Sequence, residues 1–179
     1  QVLQALHRFP LEGRQVNLQF SYSQPYVNVV KEKIEPRQSS QSILQLGYQF
    51  SCQYGDKDYF ALIVFNAMFG EFAHSALFTT LREKEGLAYS ISSQFDIFTG
   101  LLEVYAGIEK SNRNQAMRGI SRELNYIKLG RFSSSLLNQT KKIIRMNALL
   151  SEDHALTLVE QRFNKVIFGD KSLSLENWL

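Results

Sequence analysis

The sequence predicts an α+β fold, an antiparallel or mixed sheet with its helices packed on one face. Three observations carry that prediction. Stretches of two-residue alternation stand apart from stretches of helical periodicity. Their order is strand, helix, helix, hairpin, helix, helix, helix. The chain is also long enough, at 179 residues with 44% hydrophobic and 21% charged, to bury one sizeable core.

Residues 1–40 read as an irregular, polar lead-in in which edge strands can form, and residues 41–179 as the domain proper. Within the lead-in, "VNLQFSYSQPYVNVV" alternates like a strand until Pro25 breaks it. "KEKIEPRQSSQ" then forms a loop around Pro36. In "SILQLGYQF", Leu44, Leu46, Tyr48 and Phe50 alternate with Ile43, Gln45, Gly47 and Gln49, as in a strand covered on one side. "YGDKDYFALIVFNAMFG" is apolar nearly all round a helix, so it predicts a buried helix capped by Asp56 or Asp58 and ending at Gly70.

A second helix is expected over residues 75–84. Two strands follow, over 88–98 and 101–108, and Thr99-Gly100 joins them as a hairpin. "SNRNQAMRGISRELNYIKLG" is a helix with Ser111 or Asn112 as cap and Gly130 as stop. "SSSLLNQTKKIIRMNALL" starts a helix on its serines. "SEDHALTLVEQRFNKVIFG" opens another, with Glu152 and Asp153 set against the positive end of the helix dipole. "LENWL" begins one more short helix.

Composition narrows the function classes. The net charge of +3 is spread among 17 acidic residues, so no basic face for nucleic acid is expected. Lys141, Lys142 and Arg145 read as a solvated helix face. The longest apolar stretch, "YFALIVFNAMF", is too short to cross a membrane. Cys52 is the single cysteine, which excludes an internal disulfide and fits a reducing, cytoplasmic compartment. A first residue that is Gln rather than Met reads as a fragment of a longer protein.

The three histidines, His7, His74 and His154, sit at no spacing that places two ligands on one helical face. Glu152, Asp153 and His154 are adjacent, so on a helix they diverge by about 100° each and read as a helix start. No nucleophile elbow, phosphate loop or dinucleotide fingerprint occurs. The chain therefore carries no complete catalytic machine of its own.

One turn does place two useful side chains. In "LFTTLREKEGLAYSISSQF", Leu77, Phe78 and Leu81 share a helix face and Arg82 stands at its edge. Gly86 is a natural left-handed cap, and Leu87 can fold back on Leu81. Tyr89 then falls in a strand, expected on the face of Ile91. An arginine offers a planar fork of donors to carbonyl or carboxylate oxygens, and a tyrosine hydroxyl can donate to an oxygen that gains charge during acyl transfer. The spacing equally allows Arg82 to pair with Glu83 or Glu85, and Tyr89 to be a half-buried sheet aromatic.

The same residues resemble a motif of the insulinase/pitrilysin (M16) family of zinc metallopeptidases. Leu77-Phe78, Arg82-Glu83-Lys84, Gly86-Leu87 and Tyr89 match the core of that family's second, non-zinc domain. The likeness runs over roughly residues 40–179 and is similar to a bacterial branch of inactive-type members. The resemblance implies an α/β roll that faces a homologous domain across a chamber. It implies substrate-backbone binding by Arg82 and Tyr89, supported by the turn at Gly86, with a peptide or small protein as substrate. It implies no cofactor in this chain, and zinc in a missing first domain or a partner subunit of M16 type. It leaves open whether the parent protein is an active metallopeptidase or a silent homologue that binds peptide or a partner.

Overall fold

The computed structural model describes residues 28–151 and 155–168. The strands expected before residue 28, His7, the Glu152-Asp153-His154 helix start and the "LENWL" helix lie outside them.

Among the described residues three strands form one antiparallel sheet in the order β1-β3-β2: β1 is Ser42–Gln49, β2 is Ser90–Asp96 and β3 is Leu101–Ile108. The register aligns one face. Leu44, Ala106 and Ile91 stand side by side, then Leu46, Val104 and Ser93, then Tyr48, Leu102 and Phe95. The alternation in the sequence dictates this, because a one-residue slip would send every one of these side chains to the other face. The opposite face carries Gln45, Glu103, Tyr105 and Gln94, linked by side-chain hydrogen bonds of 3.0–3.3 Å that meet on the Glu103 carboxylate and the Tyr105 hydroxyl.

The helical segments before residue 152 cover the apolar face. Helix α1 (Tyr59–Asn66) continues as a π-helical turn, Ala67–Glu71, one residue beyond the expected stop at Gly70. A second π-helical segment spans Phe78–Lys84. A 3-10 turn, Lys110–Asn112, leads into α2 (Arg113–Lys128), followed by α3 (Ser134–Ser151) and α4 (Ala155–Phe168). Phe69, Leu77, Leu81, Val104, Ile108 and Ile120 form the fully buried centre. Burying each such side chain stabilises the fold by about 1.5–3 kcal/mol relative to exposure.

One expectation about helix ends changes. Asp58 occupies the cap position of α1 but makes no side-chain cap bond. Asp56 instead accepts the Gln53 N–H at 2.8 Å and stabilises the preceding turn. Ser133, by contrast, caps α3, its Oγ accepting the Leu136 N–H at 3.1 Å.

The polar residue at the end of α1 has a local cause. Asn66 is buried in an otherwise apolar helix because Ser93 on β2 donates to its Oδ1 at 2.8 Å, and its own Nδ2 donates to Glu71 at 2.9 Å. Gly70 lets β2 approach that closely. A Cβ at Gly70 would lie 2.6 Å from Ser93 Oγ and 2.8 Å from the Ser93 backbone nitrogen.

Candidate functional site

The site grows from the second π-helical segment and the residues that lead into it. Ser75 starts it, its carbonyl accepting from the Thr79 N–H at 3.0 Å and the Thr79 hydroxyl at 2.9 Å. Leu77 and Leu81 anchor the segment in the core, and Gly119 of α2 packs directly on Leu81, where a Cβ would come within 3.2 Å.

Arg82 lies at the exposed edge. Its guanidinium carbon stands 4.6 Å from the centre of the Phe78 ring. Among the described residues no carboxylate lies within ion-pair distance of it. Glu85, a partner that the sequence allowed, is engaged elsewhere: Arg122 of α2 bonds it at 2.6 Å and Glu123 at 3.0 Å. The same arginine therefore ties the start of the turn to the nearly buried Glu123 carboxylate, and the two acids hold its own pKa above the usual arginine value, Glu123 first.

The turn closes as a Schellman-type cap. Gly86 has φ +61, the Leu87 N–H reaches the Leu81 carbonyl at 2.8 Å, and the Glu85 N–H reaches Thr80 at 2.9 Å. Glu85 and Leu87 also line an open cavity of about 420 Å³ whose other wall is Gln115, Arg118, Gly119 and Arg122.

Tyr89 does not share the face of Ile91. It is 51% exposed while Ile91 is buried. The strand begins at Ser90, two residues later than expected, because Ala88 is drawn into the core directly after the cap. Tyr89 still joins the ladder through its N–H, which reaches the Gly107 carbonyl at 2.8 Å. Its hydroxyl donates to Glu109 Oε1 at 2.6 Å, and that bond, with a smaller contribution from burial, pushes the phenol above its ordinary pKa. No hydrogen bond joins Arg82 to Tyr89: the guanidinium rests on Phe78 and the phenol on Glu109.

Sequence reasoning missed Glu109 and Arg122. Glu109 could have been found by counting back from the hairpin turn, which sets residue 89 opposite the end of β3. Arg122 is 37 positions from Glu85, and no local pattern signals that contact.

Residues 10–144 match the family model described as "Peptidase M16 inactive domain". The chain belongs to the M16 peptidase family. It is 44% identical over 130 residues to the "Probable inactive metalloprotease YmfF" of Bacillus subtilis, covering 73% of this chain and 30% of that one. It is 29% identical over 117 residues to the "Uncharacterized zinc protease YmxG" of the same organism, covering 64% of this chain and 28% of that one. A crystal structure of a conserved protein from Enterococcus faecalis superposes with a TM-score of 0.84 at 42% identity, covering 88% of this chain and 37% of that one. This M16 chain thus spans about a third of the length of these relatives.

Zinc, which the name of the second of these relatives carries, finds no fitting donors among the described residues. Among the described residues no group of three His, Cys, Asp or Glu side chains could hold a metal ion. His74, the histidine they include, stacks on Phe72 and meets the Thr140 hydroxyl at 2.9 Å through Nε2. Cys52 is half-buried, and burial, then Asp56 and Asp58, push its thiol above the ordinary value, which disfavours the reactive thiolate. No described helix is long and apolar enough to cross a membrane.

Proposed function

We propose that this chain is the peptide-holding, non-zinc domain of an M16-type protein. The observation that carries the reading is Arg82, a guanidinium steadied on Phe78 with no carboxylate of the described residues within ion-pair distance, on a turn that also carries an exposed tyrosine. Arg82 would hold the carbonyls of a bound peptide, and Tyr89 would donate to the oxygen that gains charge at the scissile bond. Gly86 supports both by reversing the chain between them. The water, its activation and any zinc would come from another M16-type domain or a partner subunit. A cytoplasmic location belongs to the same proposal, and the lone cysteine is consistent with it.

The test is fluorescence anisotropy with a fluorescein-labelled, proline-free decapeptide of casein. Arg82→Ala and Tyr89→Phe are each expected to weaken its binding about tenfold, the loss of one charge-assisted or well-placed hydrogen bond. Binding unchanged in both variants would overturn the proposal. The chain alone is expected to leave casein uncut, and cleavage that a chelator abolishes would count against it.

A second reading has its own support in the name of the relative at 44% identity, "Probable inactive metalloprotease YmfF". In it, the parent protein is catalytically silent and the domain serves assembly or peptide capture. Stoichiometric zinc in the purified full-length protein would rule that reading out.

A further inference from the structure

The Tyr89–Glu109 contact has a stoichiometry that bears on what the site can hold. A phenol has one proton to give. In this structure it goes to Glu109 at 2.6 Å, and the Tyr89 backbone N–H is already committed to Gly107 at 2.8 Å. A peptide carbonyl that takes the phenolic proton must therefore displace Glu109, leaving an exposed carboxylate that has lost its donor. Among the described residues no Lys or Arg pairs with Glu109. The carboxylate is best served if the incoming peptide brings an N–H as well as an oxygen.

An extended peptide does so in one residue. In a hydrogen-bonded antiparallel pair, the N–H and C=O of a single residue point to the same side and exchange both bonds with one partner. Tyr89 and Glu109, donor and acceptor with their oxygens in contact, offer the complement of that edge. A phenol stays protonated, and so a donor, throughout the neutral range.

We propose that Tyr89 and Glu109 act together as a clamp for one extended peptide residue, the hydroxyl taking its carbonyl and the carboxylate its N–H. The clamp rests on the peptide-binding reading above and adds a specificity to it. It rejects proline and N-methylated residues at the clamped position and is indifferent to them elsewhere.

The experiment is an N-methyl scan of the same casein decapeptide against the 179-residue chain. One position is expected to lose about tenfold in affinity on methylation, the size of a hydrogen bond to a charged group. In Glu109→Ala that penalty falls below about twofold, and in Glu109→Gln, whose amide oxygen still accepts, part of it returns. Arg82→Ala weakens every peptide of the scan alike. An absorbance titration, with Tyr89→Phe as the assignment, should show the Tyr89 phenol moving down toward the ordinary tyrosine range in Glu109→Ala. A methylation penalty that survives in full in Glu109→Ala, or is missing from the wild type, overturns the clamp while leaving the peptide-binding reading in place. Binding unaffected by both Arg82→Ala and Tyr89→Phe overturns the underlying reading and the clamp with it.

Discussion

Replacing Gly86 with alanine isolates the backbone cost of the turn. Gly86 has φ +61, and a Cβ built there meets nothing within 4 Å. The substitution therefore adds no steric clash, only the penalty of holding an L-residue in the left-handed region, about 1–2 kcal/mol. Two backbone bonds depend on that conformation, Glu85 to Thr80 and Leu87 to Leu81. With a urea m-value of about 2 kcal/mol/M, the unfolding midpoint of Gly86→Ala should fall by about 0.5–1 M. Gly86→Asn is the control, since asparagine visits the left-handed region more readily. It should lose less than half as much. An alanine variant as stable as wild type, or an asparagine variant as unstable as alanine, would refute the reasoning that left-handed geometry is what this position supplies.

Gly70→Ala should fail for the opposite reason, steric rather than conformational: its Cβ would meet the Ser93 backbone nitrogen at 2.8 Å, and a loss of about 1–3 kcal/mol is expected by denaturant unfolding. Arg122→Ala leaves the nearly buried Glu123 without its cation and should cost about 1–3 kcal/mol, whereas Glu85→Ala, at a more exposed partner, should cost under about 1 kcal/mol. His74 gives a pH dependence. Burial lowers its folded pKa below the ordinary 6.5, so the unfolded chain takes up the proton first as the pH falls. The stability it permits is complete above about pH 6.5 and declines as acidification proceeds from there to the lowered folded value. Unfolding of His74→Gln measured from pH 8 to pH 5 should lack that decline.

The sheet was legible because alternation has one interpretation once a face is buried: Leu44, Leu46 and Tyr48 lie where their spacing puts them, facing Ala106, Val104 and Leu102. The π-helical turns were not. An apolar run such as "ALIVFNAMF" looks the same whether a turn holds 3.6 residues or more, and what marks the widened turn is Ser93, brought from β2 to bond Asn66. At the candidate site, Gly86 announced its own conformation. The orientation of Tyr89 did not follow from alternation, because Ala88 entered the core before the strand began and shifted the phase. The partners of Arg122 and Tyr89 are properties of the assembled fold and have no local signature.

The spacing of the strands along the chain also favours an order of assembly. Glu103 receives Gln94 from a strand only nine positions back, across a tight hairpin, and Gln45 from a strand 58 positions back. Closing the first loop is a microsecond event, while the second must wait for the intervening helices to be gathered in. The central strand β3 is thus paired on one side early and left with an open edge on the other. Until β1 arrives, that edge is the point at which a nascent chain is most open to pairing with a neighbour. The Glu103 carboxylate, by accepting from both sides, fastens the late strand to the early hairpin.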